Sequence, residues 1–293
     1  MTVSISAFAR GPKFRERRFT SRDGLSLYFR DSGDPFSPRL PALCLSGLTR
    51  NSRDFAALAA RLSETRRVIC LDYRGRGQSD YDSNWRNYHP LTYLDDIRHL
   101  LAALGIGRVV AIGTSMGGLL AAGMAAAMPT VLAGAVINDV GPEIGQRGLD
   151  RIVAYMRDAG PLADWNAAVA KLRATFPNLP AVSPEDWLKV AQATYREGHD
   201  GLLHPDWDTR LVRPLLEEGT ASYNFMALFA ALRSLPVLLV RGERSDVLTA
   251  DAFERLGARL PQARRITVPG VGHAPSLSEP QVKDALDDFF RAF

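Results

Sequence analysis

The stretch Val109-Val110-Ala111-Ile112-Gly113-Thr114-Ser115-Met116-Gly117-Gly118, continuing into Leu119–Ala127, decides the fold. Its first residues are apolar and partly β-branched, the pattern of a strand buried on both faces. The closing run reads as a helix. Between them, G-x-S-x-G forces a sharp strand-to-helix turn. A serine in such a turn has a strained backbone, and its neighbours two positions either side must lack a Cβ so that strand and helix can close. The Ser115 hydroxyl then projects above the carboxyl ends of the strands, where open α/β sheets place their ligands. Its place at a helix N-terminus favours developing negative charge.

Working outward, the same alternation repeats. Ala42–Ser46, Val68–Leu71, Leu132–Asp139, Val237–Arg241 and Ile266–Val268 read as further buried strands. Asp54–Leu62, Thr92–Leu104, Ala250–Leu260 and Pro280–Ala292 read as helices between or after them. This predicts a mostly parallel sheet with helices on both faces. Upstream, Arg15–Thr20 and Leu25–Arg30 flank a Ser21-Arg22-Asp23-Gly24 turn and predict an antiparallel hairpin at one edge.

The alternation stops after Asp139. From Pro142 to about Thr220 no convincing buried strand is found, and helices are expected at Leu149–Ala159, Leu162–Thr175, Pro184–Arg196 and Arg210–Glu217. Ser183-Pro184-Glu185-Asp186 is a helix start, with a serine cap, proline at the first position and an acid at the third. The α/β pattern resumes at Val237. The expected organisation is one α/β core, residues 1–141 and 221–293, interrupted by a helical insert, 142–220.

The chain has 293 residues, 46% of them apolar and 23% charged, so it has ample core to bury without staples. Twenty-four glycines without a period and two cysteines exclude collagen-like and disulfide-scaffold classes. The net charge is +4, carried by scattered arginines. The one local cluster, Arg10, Lys13, Arg15, Arg17 and Arg18, reads as a solvated edge strand, and no nucleic-acid partner is expected. No apolar run approaches the ~20 residues of a membrane span. Met1–Arg10 lacks the basic-then-apolar pattern of a secretory signal. Cys44 and Cys70 lie in strand-like runs as core thiols, which fits a reducing cytoplasm.

A serine hydroxyl needs a base oriented by an acid. Behind a G-x-S-x-G elbow the chain order is Ser, then Asp or Glu, then His. Of five histidines, His89 and His99 precede Ser115, and His199 and His204 fall in the insert. His273, in Gly270-Val271-Gly272-His273-Ala274-Pro275 after the last strand, is the expected base. Asp246, just past the strand Val237–Arg241, is the leading acid, and Asp139, ending the preceding strand, is its competitor. Two backbone N–H donors are needed for an oxyanion hole. Met116 should supply one, and Leu48, in Ser46-Gly47-Leu48, the other. No clustered His, Cys or Asp set suggests a metal, and no cofactor is expected.

With these residues in hand, the sequence resembles the α/β-hydrolase superfamily over most of its length. The resemblance rests on Ser46-Gly47, Asp72-Tyr73-Arg74-Gly75-Arg76-Gly77-Gln78-Ser79, the elbow, Gly242–Asp246 and Gly272-His273. The family often carries His-Gly at the oxyanion loop, where this chain has Ser46. The resemblance implies an eight-stranded sheet with a helical cap entering after the sixth strand. The Asp72–Ser79 segment reads as structural.

The expected activity is a serine hydrolase cleaving a carboxylic ester or lactone of a small molecule through an acyl-enzyme. The sequence is also similar to carbon–carbon bond hydrolases of ring-fission products, enol-lactonases and perhydrolases, which would keep the triad and change the bond. A non-catalytic small-molecule receptor on the same fold is the third alternative. Epoxide hydrolase and dehalogenase chemistry is disfavoured, because those relatives carry Asp where this chain has Ser115.

Overall fold

The computed structural model describes residues 14–179, 183–217, 219 and 224–293. Arg10, Lys13, the Met1–Arg10 stretch and Thr220, all considered above, lie outside the described residues.

An eight-stranded sheet forms the centre, in the order β1-β2-β4-β3-β5-β6-β9-β10. Its strands are β1 (Phe14–Thr20), β2 (Ser26–Ser32), β3 (Ala42–Leu45), β4 (Val68–Leu71), β5 (Val109–Thr114), β6 (Leu132–Asn138), β9 (Val237–Gly242) and β10 (Arg264–Val268). β1, β2 and β4 pair antiparallel, and from β4 onward the sheet is parallel. The central strands β3, β4, β5, β6 and β9 are apolar and buried almost throughout, as strands covered on both faces must be.

Two hydrophobic layers flank the sheet. On one side, Leu58 and Leu62 of α1 (Ala56–Leu62) and Val282 and Leu286 of α10 (Pro280–Phe290) pack onto Val68, Val110 and Val240. On the other lie α2 (Pro90–Ala103), α3 (Met116–Ala127) and α9 (Ala250–Arg259), burying Ile97, Leu120 and Leu256 against Leu43, Ala111 and Leu239. Cys44 and Cys70 sit opposite each other on β3 and β4 as free, buried thiols.

The basic run of β1 is an edge strand. Arg15 and Arg17 reach the buried Asp31 carboxylate, which Arg67 also holds through two hydrogen bonds of 2.9 Å. The charges that suggested a solvated edge are thus tied to their neighbour strand.

Between β6 and β9 the chain forms α4 (Gln146–Arg157), α5 (Trp165–Thr175), α6 (Pro184–Thr194), β7 (Tyr195–Glu197), β8 (Leu203–Pro205), α7 (Arg213–Glu217) and α8 (Phe225–Ala230). Ser183 caps α6 through a reciprocal capping box with Asp186, as its sequence dictates. The β7–β8 ribbon departs from the expectation of helix through Arg196. Three residues per strand give no alternation to read, and Tyr195 is the only buried residue of β7. No helix among the described residues is long and apolar enough to cross a membrane.

Candidate active site

The elbow forms as its glycines require. Ser115 has φ +54°, a left-handed backbone that few residues other than glycine adopt. A Cβ on Gly117 would lie 1.9 Å from the Leu45 carbonyl oxygen, and one on Gly113 would lie 2.2 Å from that of Gly117. Strand, turn and helix therefore close only with glycine at both positions. The Ser115 amide donates to Asn138 on β6 at 2.9 Å, which holds the turn to the sheet.

His273 stands beside the serine. Its Nε2 is 3.0 Å from Ser115 Oγ, and its Nδ1 is 2.7 Å from Asp139 Oδ2. A carboxylate can only accept, so Nδ1 carries the ring proton and Nε2 is left to accept from the serine hydroxyl. The Asp139 side chain is fully buried, and its second oxygen accepts from the Gly242 amide at 2.9 Å. Each carboxylate oxygen thus has a partner, which holds the carboxylate in place against the imidazole.

This corrects the expected acid. Asp246 makes no hydrogen bond to His273. Its carboxylate is instead gripped by Arg151 of α4, with bonds of 2.8 and 2.5 Å. Burial pushes the Asp246 carboxyl up, but the Arg151 guanidinium outweighs this and holds it below the usual carboxylate range. The competitor identified in the sequence, Asp139, holds the histidine. The physical reason lies at the end of β6: Asp139 turns to φ +58° one residue past the strand while its amide still bonds Val240 at 2.8 Å. That turn aims its side chain across the top of β9 toward the histidine loop.

The oxyanion loop lies against the elbow. A Cβ on Gly47 would sit 3.7 Å from Ser115 Cβ, so the backbone there passes close over the nucleophile. Ser46 donates from its hydroxyl to the Arg50 carbonyl at 3.1 Å, a local loop bond that takes the place of any histidine support. The Leu48 carbonyl accepts from Arg76 Nε at 2.6 Å. Arg76 also reaches the Arg74 carbonyl at 2.8 Å and the Tyr93 hydroxyl at 3.1 Å, and its Nη2 is 3.8 Å from Met116 Sδ. It is fully buried and links both expected oxyanion donors, Leu48 and Met116. Its neighbour Arg74 is bound by Asp23, Asp82 and Asp96, and the Asp72 carboxylate caps the Ser52 and Gln78 amides at 2.6 and 3.0 Å. The Asp72–Ser79 turn is therefore structural as read, but Arg76 within it also braces the site. Its sequence position gave no sign of that, because the contact depends on how the turn folds back over β3.

Of the other histidines, His89 accepts from the Leu91 amide at the start of α2, and His204 pairs with Asp200 on the β7–β8 ribbon. Among the described residues, no group of His, Cys, Asp and Glu could hold a metal ion.

The fold and this constellation define an α/β hydrolase. Residues 42–283 match the sequence profile of the Alpha/beta hydrolase family, and the chain belongs to it. It is 32% identical over 274 residues to a 3-hydroxybutyrate-oligomer hydrolase from Cupriavidus necator, covering 90% of this chain and 92% of the relative. It is 30% identical to a 2-(acetamidomethylene)succinate hydrolase from Mesorhizobium japonicum, covering 85% and 87%. The crystal structure of an α/β hydrolase from Novosphingobium aromaticivorans superposes with a TM-score of 0.90 at 40% identity, covering 96% of this chain and 99% of that one.

Proposed function

We propose that this chain is a serine hydrolase that cleaves a carboxylic ester or lactone of a small molecule through an acyl-enzyme on Ser115. The observation that carries this reading is the continuous relay Ser115 Oγ, His273 Nε2, His273 Nδ1 and Asp139 Oδ2, with contacts of 3.0 and 2.7 Å. The 3-hydroxybutyrate-oligomer hydrolase among its relatives favours ester chemistry.

In this mechanism Ser115 Oγ attacks the carbonyl carbon while its proton passes to His273 Nε2. The Leu48 and Met116 amides hold the oxyanion, and Arg76 keeps both segments in place. The intermediate collapses, the ester C–O bond breaks, and the imidazolium returns the proton to the leaving alkoxide. Water then attacks the acyl carbon and gives its proton to His273. The acid departs and Ser115 recovers its hydroxyl proton. Asp139 stays ionised throughout and stabilises the imidazolium.

In the same reading residues 142–220 act as a cap over a core of residues 1–141 and 221–293. Support comes from the contacts the segment makes at the site. Gly272 donates to the Asn178 carbonyl at 2.7 Å, and Arg151 reaches Asp246. The two free buried thiols fit a reducing, cytoplasmic setting.

The test is hydrolysis of a short p-nitrophenyl ester series by wild type and Ser115→Ala, with intact-mass analysis of the wild type under turnover. Loss of turnover in Ser115→Ala and an acyl adduct on Ser115 are expected. Absence of turnover and adduct in the wild type would reject the ester reading. Ring-fission products and ligand binding would then be tried in its place.

A further inference from the structure

Arg76 is fully buried, and among the described residues every group that bonds its guanidinium is neutral. Nε donates to the Leu48 carbonyl at 2.6 Å, and Nη1 to the Arg74 carbonyl at 2.8 Å and the Tyr93 hydroxyl at 3.1 Å. Nη2 lies 3.8 Å from Met116 Sδ. The guanidinium carbon stands over the Tyr73 and Tyr93 rings, 5.4 and 4.8 Å from their centroids. Burial pushes both phenols up, so neither is a phenolate at neutral pH. Carbonyl dipoles and aromatic faces hold a cation without cancelling its charge. A buried charge with no ion partner is expensive and asks for an explanation.

The arginine two residues earlier shows the contrast. Arg74 is buried as deeply, yet it gathers the carboxylates of Asp23, Asp82 and Asp96. Asp72 is occupied by the Ser52 and Gln78 amides, and Asp206 by Arg53 and Arg196. The turn is therefore polarised. Negative charge collects around Arg74, and the positive charge of Arg76 stands against Leu48 and Met116. These are the two residues whose amides are proposed to hold the oxyanion. The partner of opposite charge that Arg76 lacks in the resting protein is the one that the reaction would create beside it. Where water is excluded, such an attraction is felt across a residue or two.

We propose that Arg76 is a positioning residue that acts by its charge as well as its bonds: the unpaired guanidinium, behind Leu48 and Met116, favours the tetrahedral oxyanion over the neutral ester. It keeps its present partners and does not touch the substrate. It therefore strengthens binding of the transition state without adding to binding of the ground state. This rests on the serine-hydrolase reading for its effect on rate, but the field that the same charge imposes on His273 does not need turnover.

The test compares wild type, Arg76→Gln and Arg76→Lys on p-nitrophenyl acetate, each checked for folding by circular dichroism. Arg76→Gln removes the charge and should lower kcat about 10²-fold, equal to about 2.7 kcal/mol, with KM within about threefold. Phenylboronic acid bonds Ser115 Oγ as a tetrahedral anion, the hydroxyl proton passing to His273, and its inhibition should weaken by a similar factor. Arg76→Lys keeps the charge but not the planar fork, and should recover about tenfold or more of the lost kcat. Smaller recovery would leave bracing alone as the role of Arg76 and overturn the proposal, as would an unchanged kcat in Arg76→Gln. Should these variants not fold, Tyr93→Phe removes one bond to Nη1 and leaves the charge. Its kcat should stay within about threefold of wild type, and a larger loss would again favour bracing and overturn the proposal. If wild type hydrolyses no ester, the hydrolase reading fails, and an NMR titration of His273 decides on the charge. The ring should titrate about half a pH unit higher in Arg76→Gln than in wild type or Arg76→Lys, because a nearby cation is gone. An unmoved titration rejects the proposal.

Discussion

Two loops at the top of the sheet each offer an aspartate near His273, and they differ in everything except residue type. The loop after β6 presents Asp139, fully buried, left-handed at the backbone, and held by the Gly242 amide and the His273 ring. The loop after β9 presents Asp246, one-third exposed and bound to Arg151. The first carboxylate faces the His273 ring beside Ser115, and the second joins α4 to the loop after β9. An acid is thus recruited by where its backbone points it, not by its place in the strand order. The sequence put Asp246 first on the context of its loop, and the left-handed turn at Asp139 brings that carboxylate, rather than Asp246, to the His273 ring.

The comparison can be broken most severely at the groups both loops surround. Ser115→Ala or His273→Ala should lower kcat by about 10⁵–10⁶-fold on a p-nitrophenyl ester, with little change in KM. A residual rate within a hundredfold of wild type would place the chemistry elsewhere.

A second test acts where the two loops meet. Gly242 donates to Asp139, and a Cβ there would lie 2.3 Å from the Gly272 carbonyl oxygen. Gly242→Ala should therefore push the histidine loop away from Asp139. A displacement on the order of 1 Å can cost about 10²-fold in rate, and a kcat loss of that size is expected. Steady-state kinetics on a folded variant would check it, and unchanged kcat would show that the Gly242 bond is not needed to aim the acid.

Arg151→Met sharpens the comparison from the other side. It should cost about 1 kcal/mol or less in urea unfolding, since the pair is partly exposed. The Asp246 carboxyl should then titrate upward, because burial is no longer opposed by the guanidinium. Carboxyl-selective NMR would read this. An unmoved Asp246 would mean that Arg151 does not set its charge.

The smallest effect is in acid. Asp23 is lowered to about 2, chiefly by its bond to Arg74, and Asp31 and Asp246 are lowered because arginines outweigh their burial. Folded values below unfolded ones give stability that is present above about pH 4 and lost as pH falls through the folded values. Asp72, Asp96 and Asp206, raised by burial, contribute with the opposite sign. The stability gap between wild type and Asp246→Asn should therefore be flat near neutrality and close below about pH 4. Denaturant melts across pH would show it, and a gap that widens in acid would contradict the sign.

Much of this architecture was legible in the sequence, because it is written in local patterns. The buried runs of β3, β4, β5, β6 and β9 are bounded by turn residues, and the elbow glycines answer to contacts within a few residues. Ser115 and His273 followed from that frame. Asp246 was ranked above Asp139 on loop context, because both follow strand ends and the features that tell them apart, the φ of Asp139 and the Gly242 amide, are not written in any local pattern. Arg76 was hidden for a similar reason: its partners Leu48 and Tyr93 are distant in the chain. The β7–β8 ribbon was too short to show a period.

The most direct test of the central claim compares Asp139→Asn with Asp246→Asn on one p-nitrophenyl ester, each confirmed as folded. Asp139→Asn should lower kcat by about 10³–10⁴-fold, as loss of the group that fixes the histidine tautomer does elsewhere. Asp246→Asn should lower it by about tenfold or less, as one displaced, partly screened charge does. The reverse order would make Asp246 the catalytic acid and contradict the account.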